Sequence, residues 1–147
     1  MTTITFTVEG TPVPQGSMKS YGRGRMVHSN HDRLTRWRNL VTLAGMQAWG
    51  NQDPIDGPCQ VLISVYLPRP HGHYGTGRNA HQLKPSAPLY PHRKPDSDKL
   101  MRAILDAITA SHIWTDDSRA VSVHLRKHYA DRFNPGANIT ITTEDHP

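Results

Sequence analysis

The chain has 147 residues, a single cysteine, twelve prolines and a formal net charge of +5, with a sequence pI near 9.7. That length suits one domain with its own core. Cys59 alone excludes an internal disulfide, and no apolar run approaches the ~20 residues of a membrane span. Met1–Phe6 lacks the basic-then-apolar pattern of a signal peptide, so an intracellular setting is expected. The basic excess, with ten histidines behind it, favours a polyanionic partner, nucleic acid first.

Ile4, Phe6 and Val8 alternate with Thr5, Thr7 and Glu9, the period of a half-buried strand. Gly10–Gly16 ends it with turn chemistry. Lys19, Arg23 and Arg25 follow in a glycine-spaced loop, where a backbone can approach a phosphate and arginine can fork onto it. Met26–His28 reads as a short second strand. Ser29 or Asn30 is placed to cap a helix, with Leu34, Trp37, Leu40, Val41, Ala44 and Ala48 at helical spacing and Trp37 in the core. Gly50-Asn51 ends that helix.

Cys59–Leu67 is a strand with apolar residues on both sides, the pattern of a central strand covered on both faces; Cys59 is a small core residue in this reading. Pro68–Arg93 has almost no periodicity and is rich in proline, glycine and histidine. It reads as a mobile basic loop, carrying Arg69, Arg78 and Lys84, that orders on a nucleic-acid backbone. His71, His73, His81 and His92 lack zinc-ligand spacing, and no zinc site is expected.

Leu100, Met101, Ile104, Leu105 and Ile108 form a helical stripe, with Asp96 or Ser97 available as cap. Ser111-His112 closes that helix and Ile113-Trp114 leads into Asp116-Asp117. Val121–Tyr129 and Ala137–Thr142 alternate as two strands, expected to form a hairpin through Phe133–Gly136. The elements describe a mixed α/β (α+β) domain over residues 1–147, a small mixed sheet packed by two main helices.

Five of the twelve acidic residues lie in one window: Asp96, Asp98, Asp106, Asp116 and Asp117. Carboxylates gathered in a basic chain repel one another without a cation. Hard oxygen ligands suit Mg²⁺, which can activate water for phosphodiester hydrolysis. Taken singly, Asp96 can be only a cap, Asp98 only favourable charge in a first helical turn, and Asp116-Asp117 only a turn.

Lys94-Pro95-Asp96-Ser97-Asp98-Lys99-Leu100, then Arg102, Leu105-Asp106-Ala107, Trp114, Asp116-Asp117 and Val121, resembles the signature of the RusA family of Holliday junction resolvases, often carried by phages and prophages. Gly10–Pro14, Leu67–Pro70 and Lys127 add to the likeness. The resemblance implies a homodimeric, Mg²⁺-dependent endonuclease of the bacterial cytoplasm, with Mn²⁺ as a substitute metal, that cuts opposing strands of four-way or branched DNA and engages no membrane. It assigns metal binding to Asp96, Asp98 and Asp117, with Asp116 a weaker candidate and Asp106 a supporting partner beside Arg102. Lys19, Arg23, Arg25, Arg69, Arg78, Lys84, Lys94 and Lys99 are the candidate DNA contacts.

Two positions depart from the family pattern. Lys99 stands where asparagine is usual, and Arg102 where lysine is usual. Arg102 keeps the charge but cannot exchange a proton near neutral pH, so its catalytic role is electrostatic, on the scissile phosphate. These departures leave open a basic module that binds junctions without cutting. A third reading is a metal nuclease of the P-D…(D/E)-x-K type, for which Asp117-Ser118-Arg119 has arginine in the lysine position.

Overall fold

The computed structural model describes residues 1–16, 25–131 and 134–144, with the backbone alone for residues 25–30. Strand β1 (Thr3–Glu9) is followed by helix α1 (Arg25–Trp49), strand β2 (Cys59–Leu67), helix α2 (Ser97–Ala110), and strands β3 (Ala120–Tyr129) and β4 (Gly136–Thr143). The four strands make one mixed sheet in the order β1-β4-β2-β3. β4 runs antiparallel to both β1 and β2, whereas β2 and β3 are parallel, with α2 in the crossover between them.

One face of this sheet makes the core. Phe6, Val61, Ile63, Val65, Ile139 and Ile141 point from it toward the helices, and Trp37, Val41, Leu100, Ile104 and Ile108 meet them. α2 buries Leu100, Ala103, Ile104, Ala107 and Ile108, the i, i+3, i+4, i+7, i+8 rhythm of a helix with one apolar face. Each buried Leu or Ile there contributes roughly 1.5–3 kcal/mol. Gly45 lets α1 close on the end of α2: a Cβ at that position would stand 3.1 Å from both Ile113 Cδ1 and Ser111 Oγ.

The structure corrects four expectations. Met26–His28 belong to α1, not to a strand, and Ser29 and Asn30 lie within that helix, not at its cap. The helix that carries Leu34, Trp37 and Val41 thus extends back to Arg25. β3 and β4 are not a hairpin, because β2 lies between them. β4 buries Ala137, Ile139 and Ile141 and takes an interior place, while β3, with His124, Arg126 and Lys127, takes the edge. β2 is interior to the sheet, yet its second face is open, with Leu62 45% exposed.

The fourth correction is the segment between β2 and α2. It carries short 3₁₀ turns at His71–His73 and Gly77–Asn79 and a bridge between Tyr74 and Leu83. Gly75 N–H donates to Gln82 O at 2.9 Å and Lys84 N–H to His73 O at 2.8 Å. The segment read as a mobile loop therefore carries hydrogen-bonded structure of its own. Among the described residues no helix is long and apolar enough to cross a membrane.

Candidate active site

The acidic window enters the fold on a tether. Lys127 Nζ, on β3, donates to the carbonyls of Arg93 at 2.9 Å and Pro95 at 3.0 Å, holding the cis Lys94-Pro95 linkage that precedes α2. Asp96 occupies the N-cap position in extended conformation, but its carboxylate makes no capping hydrogen bond. It faces Lys99 Nζ at 3.6 Å instead, with both side chains about half exposed. Asp98 is exposed in the first turn of α2, where a negative charge also suits the helix dipole. The capping role open to Asp96 from sequence is thus not taken up by its side chain.

The second half is positioned by the exit from α2. Ser111 Oγ donates to Ile108 O at 2.6 Å, and His112, at φ +62°, turns the chain sharply. Ile113 and Trp114 are buried, and the Trp114 indole N–H donates to Thr109 Oγ1 at 2.7 Å. Ile55 grips the same segment: its N–H donates to Ile113 O at 2.8 Å and its carbonyl accepts from Thr115 N–H at 3.1 Å. Asp116 then accepts from Ser118 Oγ at 2.6 Å, and residues Asp117–Arg119 form a 3₁₀ turn that packs on α2. Arg119 pairs with Asp56 at 2.9 Å and also donates to Ser118 Oγ at 3.1 Å, so its charge stays close to Asp116.

This packing crowds like charges. Burial first, and then the charges of Asp116 and Asp106, hold the Asp117 carboxyl above the usual carboxylate range. The Ser118 hydroxyl, the largest influence on Asp116, holds that carboxyl below it. Asp98, Arg102 and Asp106 follow one another at four-residue intervals along α2, so Asp98 and Asp106 are about 12 Å apart along the axis, on either side of Arg102. Asp106, read from sequence as a supporting partner, is a direct electrostatic neighbour of Asp117.

Gln15 is the participant that sequence reasoning missed. Its backbone N–H donates to Lys99 O at 3.0 Å and its Nε2 to Asp106 Oδ2 at 2.7 Å, which lays the Gly10–Gly16 segment along α2. Its Oε1 is buried and has no hydrogen-bond partner among the described residues. A lone glutamine in a turn-rich stretch carries no periodicity or spacing that could have marked it.

The donor set fits a hard divalent cation in chemistry: Asp96, Asp98, Asp116 and Asp117 are exposed carboxylates, and Asp106 is half-buried and acts on Asp117. It is not a preassembled cage, since among the described residues no three His, Cys, Asp or Glu side chains are grouped closely enough to hold a metal ion. Asp117 is brought beside Asp116 and Asp106, while Asp96 and Asp98 stand at the start of the helix.

Of the candidate DNA contacts, Lys19 and Arg23 lie outside the described residues, as does the side chain of Arg25, which opens α1. Arg78, Lys84, Lys94 and Lys99 are exposed. Arg69 is placed differently, and the expectation of a phosphate contact there is corrected. Its side chain is only 1% exposed. It holds both carboxylate oxygens of Asp131, donates to Pro88 O at 2.7 Å, and lies 4.1 Å from the centre of the Tyr129 ring. Those partners occupy the fork that a phosphate would need.

Two comparisons bear on the chain. The family model described as Endodeoxyribonuclease RusA matches residues 9–142. An uncharacterized protein of Bacillus subtilis (strain 168), YqaN, is 29% identical over 132 residues, covering 89% of this chain and 91% of that protein.

Proposed function

The chain belongs to the RusA family of endodeoxyribonucleases, and from that premise we propose that it is a Mg²⁺-dependent, structure-selective endonuclease that resolves four-way DNA junctions by paired cuts. The family acts on branched DNA junctions, and its nucleases generally depend on a divalent metal. The observation that carries the reading is the family match over residues 9–142, supported by the packing of the Asp117 turn on the helix that bears Asp98 and Arg102.

In this reading Asp96, Asp98 and Asp117 hold the metal, with Asp116 as helper, and Mn²⁺ can substitute. A divalent cation bound there supplies Lewis-acid activation of the attacking water and stabilisation of the leaving oxygen. Arg102, between the two acidic groups, grips the scissile phosphate and offsets the charge that develops as water adds to phosphorus and the bridging P–O bond breaks. Gln15 holds Asp106 in place by its 2.7 Å hydrogen bond. Lys94, Lys99, Arg78 and Lys84 supply exposed positive charge for the DNA arms.

Paired cuts need two sites, which a two-fold dimer provides. On α1, Leu40, Leu43 and Met46 are 38%, 56% and 47% exposed, an apolar row that supports self-association through that helix.

The test is direct. Purified protein is incubated with synthetic four-way, Y-shaped and linear duplex DNA, with Mg²⁺, with Mn²⁺ and with chelator. Symmetric metal-dependent cuts in the four-way substrate are expected. Binding without cleavage in either metal would overturn the proposal.

A further inference from the structure

The sheet face opposite the helices is not uniform. Its β1 and β4 half is hydroxyl and amide: Thr5 Oγ1 bonds Thr140 Oγ1 at 3.1 Å and Thr7 Oγ1 bonds Asn138 at 3.0 Å. That is the polar exterior expected of an open sheet face. The β2 and β3 half departs from it. Leu62 pairs with His124, Ser64 with Arg126 and Tyr66 with His128 on three alternate rungs, all on this face.

The Tyr66 and His128 rings stack at 5.0 Å with 17° between their planes. Tyr90, from the segment before α2, lies 6.3 Å from His128, and the Arg126 guanidinium lies 5.0 Å from the centre of the Tyr90 ring. Leu62 and Tyr90 are each 45% exposed. Burial, and then the charge of Arg126, hold His128 below its ordinary value, so it stacks as a neutral aromatic ring. The rungs of this half (Gln60/Ser122 through Tyr66/His128) carry no carboxylate.

Interleaved aromatic rings and cations, without acid, on an open sheet are what unpaired bases and their phosphates require: every base has a face that stacks on an aromatic ring, and the backbone follows positive charge. A second copy of the chain suits the patch less well, because a two-fold contact would bring two Arg126 side chains onto rungs that carry no carboxylate to pair them. We propose that the β2–β3 half of the open face is a binding site for single-stranded DNA, with Tyr66 and Tyr90 as stacking surfaces and Arg126 as the phosphate contact. The inference deepens the nuclease reading and rests on it for the choice of DNA. The site is on the opposite side of the sheet from Asp98 and Asp117, and Tyr90 reaches it from the same segment that leads into Asp96.

The experiment is fluorescence anisotropy with a labelled oligodeoxythymidylate, in chelator so that nothing is cut, on the full chain. Wild type is expected to bind. Tyr66→Ala and Tyr90→Ala should each weaken binding about tenfold, the scale of one lost base stack. Tyr66→Phe keeps the ring and should retain affinity, which separates stacking from a folding defect. Arg126→Ala should flatten the dependence of log affinity on log salt by about 0.7. Failure of wild type to bind, or wild-type affinity in both alanine variants, overturns the proposal. So does a light-scattering shift from dimer to monomer in those variants with oligonucleotide binding unchanged, which would assign the face to a second copy. Junction cleavage in Mg²⁺ is measured on the same wild-type preparation. If that cleavage is absent while the anisotropy pattern holds, the nuclease reading fails and the single-strand site stands; the reverse pattern sinks the site alone.

Discussion

Replacing Arg69 with alanine tests whether the segment between β2 and α2 is held by the fold or waits for DNA. The wild-type guanidinium holds both oxygens of Asp131, donates to Pro88 O at 2.7 Å and lies over Tyr129. Asp131 is 38% exposed, so water takes over part of that pair and its share is discounted to about 1 kcal/mol. Loss of the bond to Pro88 O adds about 1–2 kcal/mol, and the ring contact about 0.5–1 kcal/mol. The total, about 3 kcal/mol, makes local opening of the segment about a hundredfold more populated. Limited trypsin digestion reads this at the Arg78–Asn79 bond, whose cleavage should accelerate by about that factor while opening stays fast relative to cutting. Arg69→Lys should recover little, because an ammonium cannot reproduce the fork. Unchanged cleavage after Arg78 in Arg69→Ala would refute the reasoning.

Asp98→Asn should abolish Mg²⁺-dependent junction cleavage while gel-shift binding survives; full activity in that variant removes the central claim about the acidic window. Gln15→Ala, which strips Asp106 of its hydrogen bond to Nε2, should lower kcat about tenfold or more with KM for the junction little changed, the scale of one hydrogen bond to a charged group; a pure KM effect would assign Gln15 to DNA binding instead. Gly136→Ala drives a Cβ into the Val8 carbonyl oxygen, where backbone cannot yield, and should cost more than the ~1–3 kcal/mol of ordinary overpacking, visible as a large fall in Tm. Burial, and then the charge of Glu144, raise the Cys59 thiol. A raised acid favours the neutral native form, so this contribution to stability is present at neutral pH and is lost as pH climbs through the alkaline range. Cys59 should accordingly resist a thiol reagent at pH 8 in the folded protein and react once guanidinium unfolds it.

What the residues disclosed in advance was local. The alternation in Ile4–Val8 and in Ala137–Ile141, and the stripe from Leu100 to Ile108, are periodic signals that survive folding because each element has one buried face. The acidic window was legible for the same reason: its members are near in sequence. Strand order was not, since nothing within Val121–Tyr129 says that it pairs with β2 in parallel, and the turn residues before Gly136 favour a hairpin that β2 prevents. Arg69 was misread because charge suggests solvent, whereas its partners Pro88, Tyr129 and Asp131 are 19 to 62 residues away. Gln15 was invisible because its meaning depends entirely on lying against Lys99 and Asp106. The open second face of β2 was hidden by Leu62 and Tyr66, whose apolar bulk reads as core when no covering helix can be counted.

Lys127 carries a consequence beyond its two hydrogen bonds. The turn bearing Asp117 runs directly into the first residue of β3, and the loop bearing Asp96 hangs by Lys127 from the far part of the same strand. Both acidic segments are therefore mounted on one beam, and their relative placement is inherited from β3 instead of from the loops themselves. That beam is an edge strand, joined to the sheet on one side by β2. A load on that edge would reach both mountings at once, so the gap between the two acidic segments follows the position of β3.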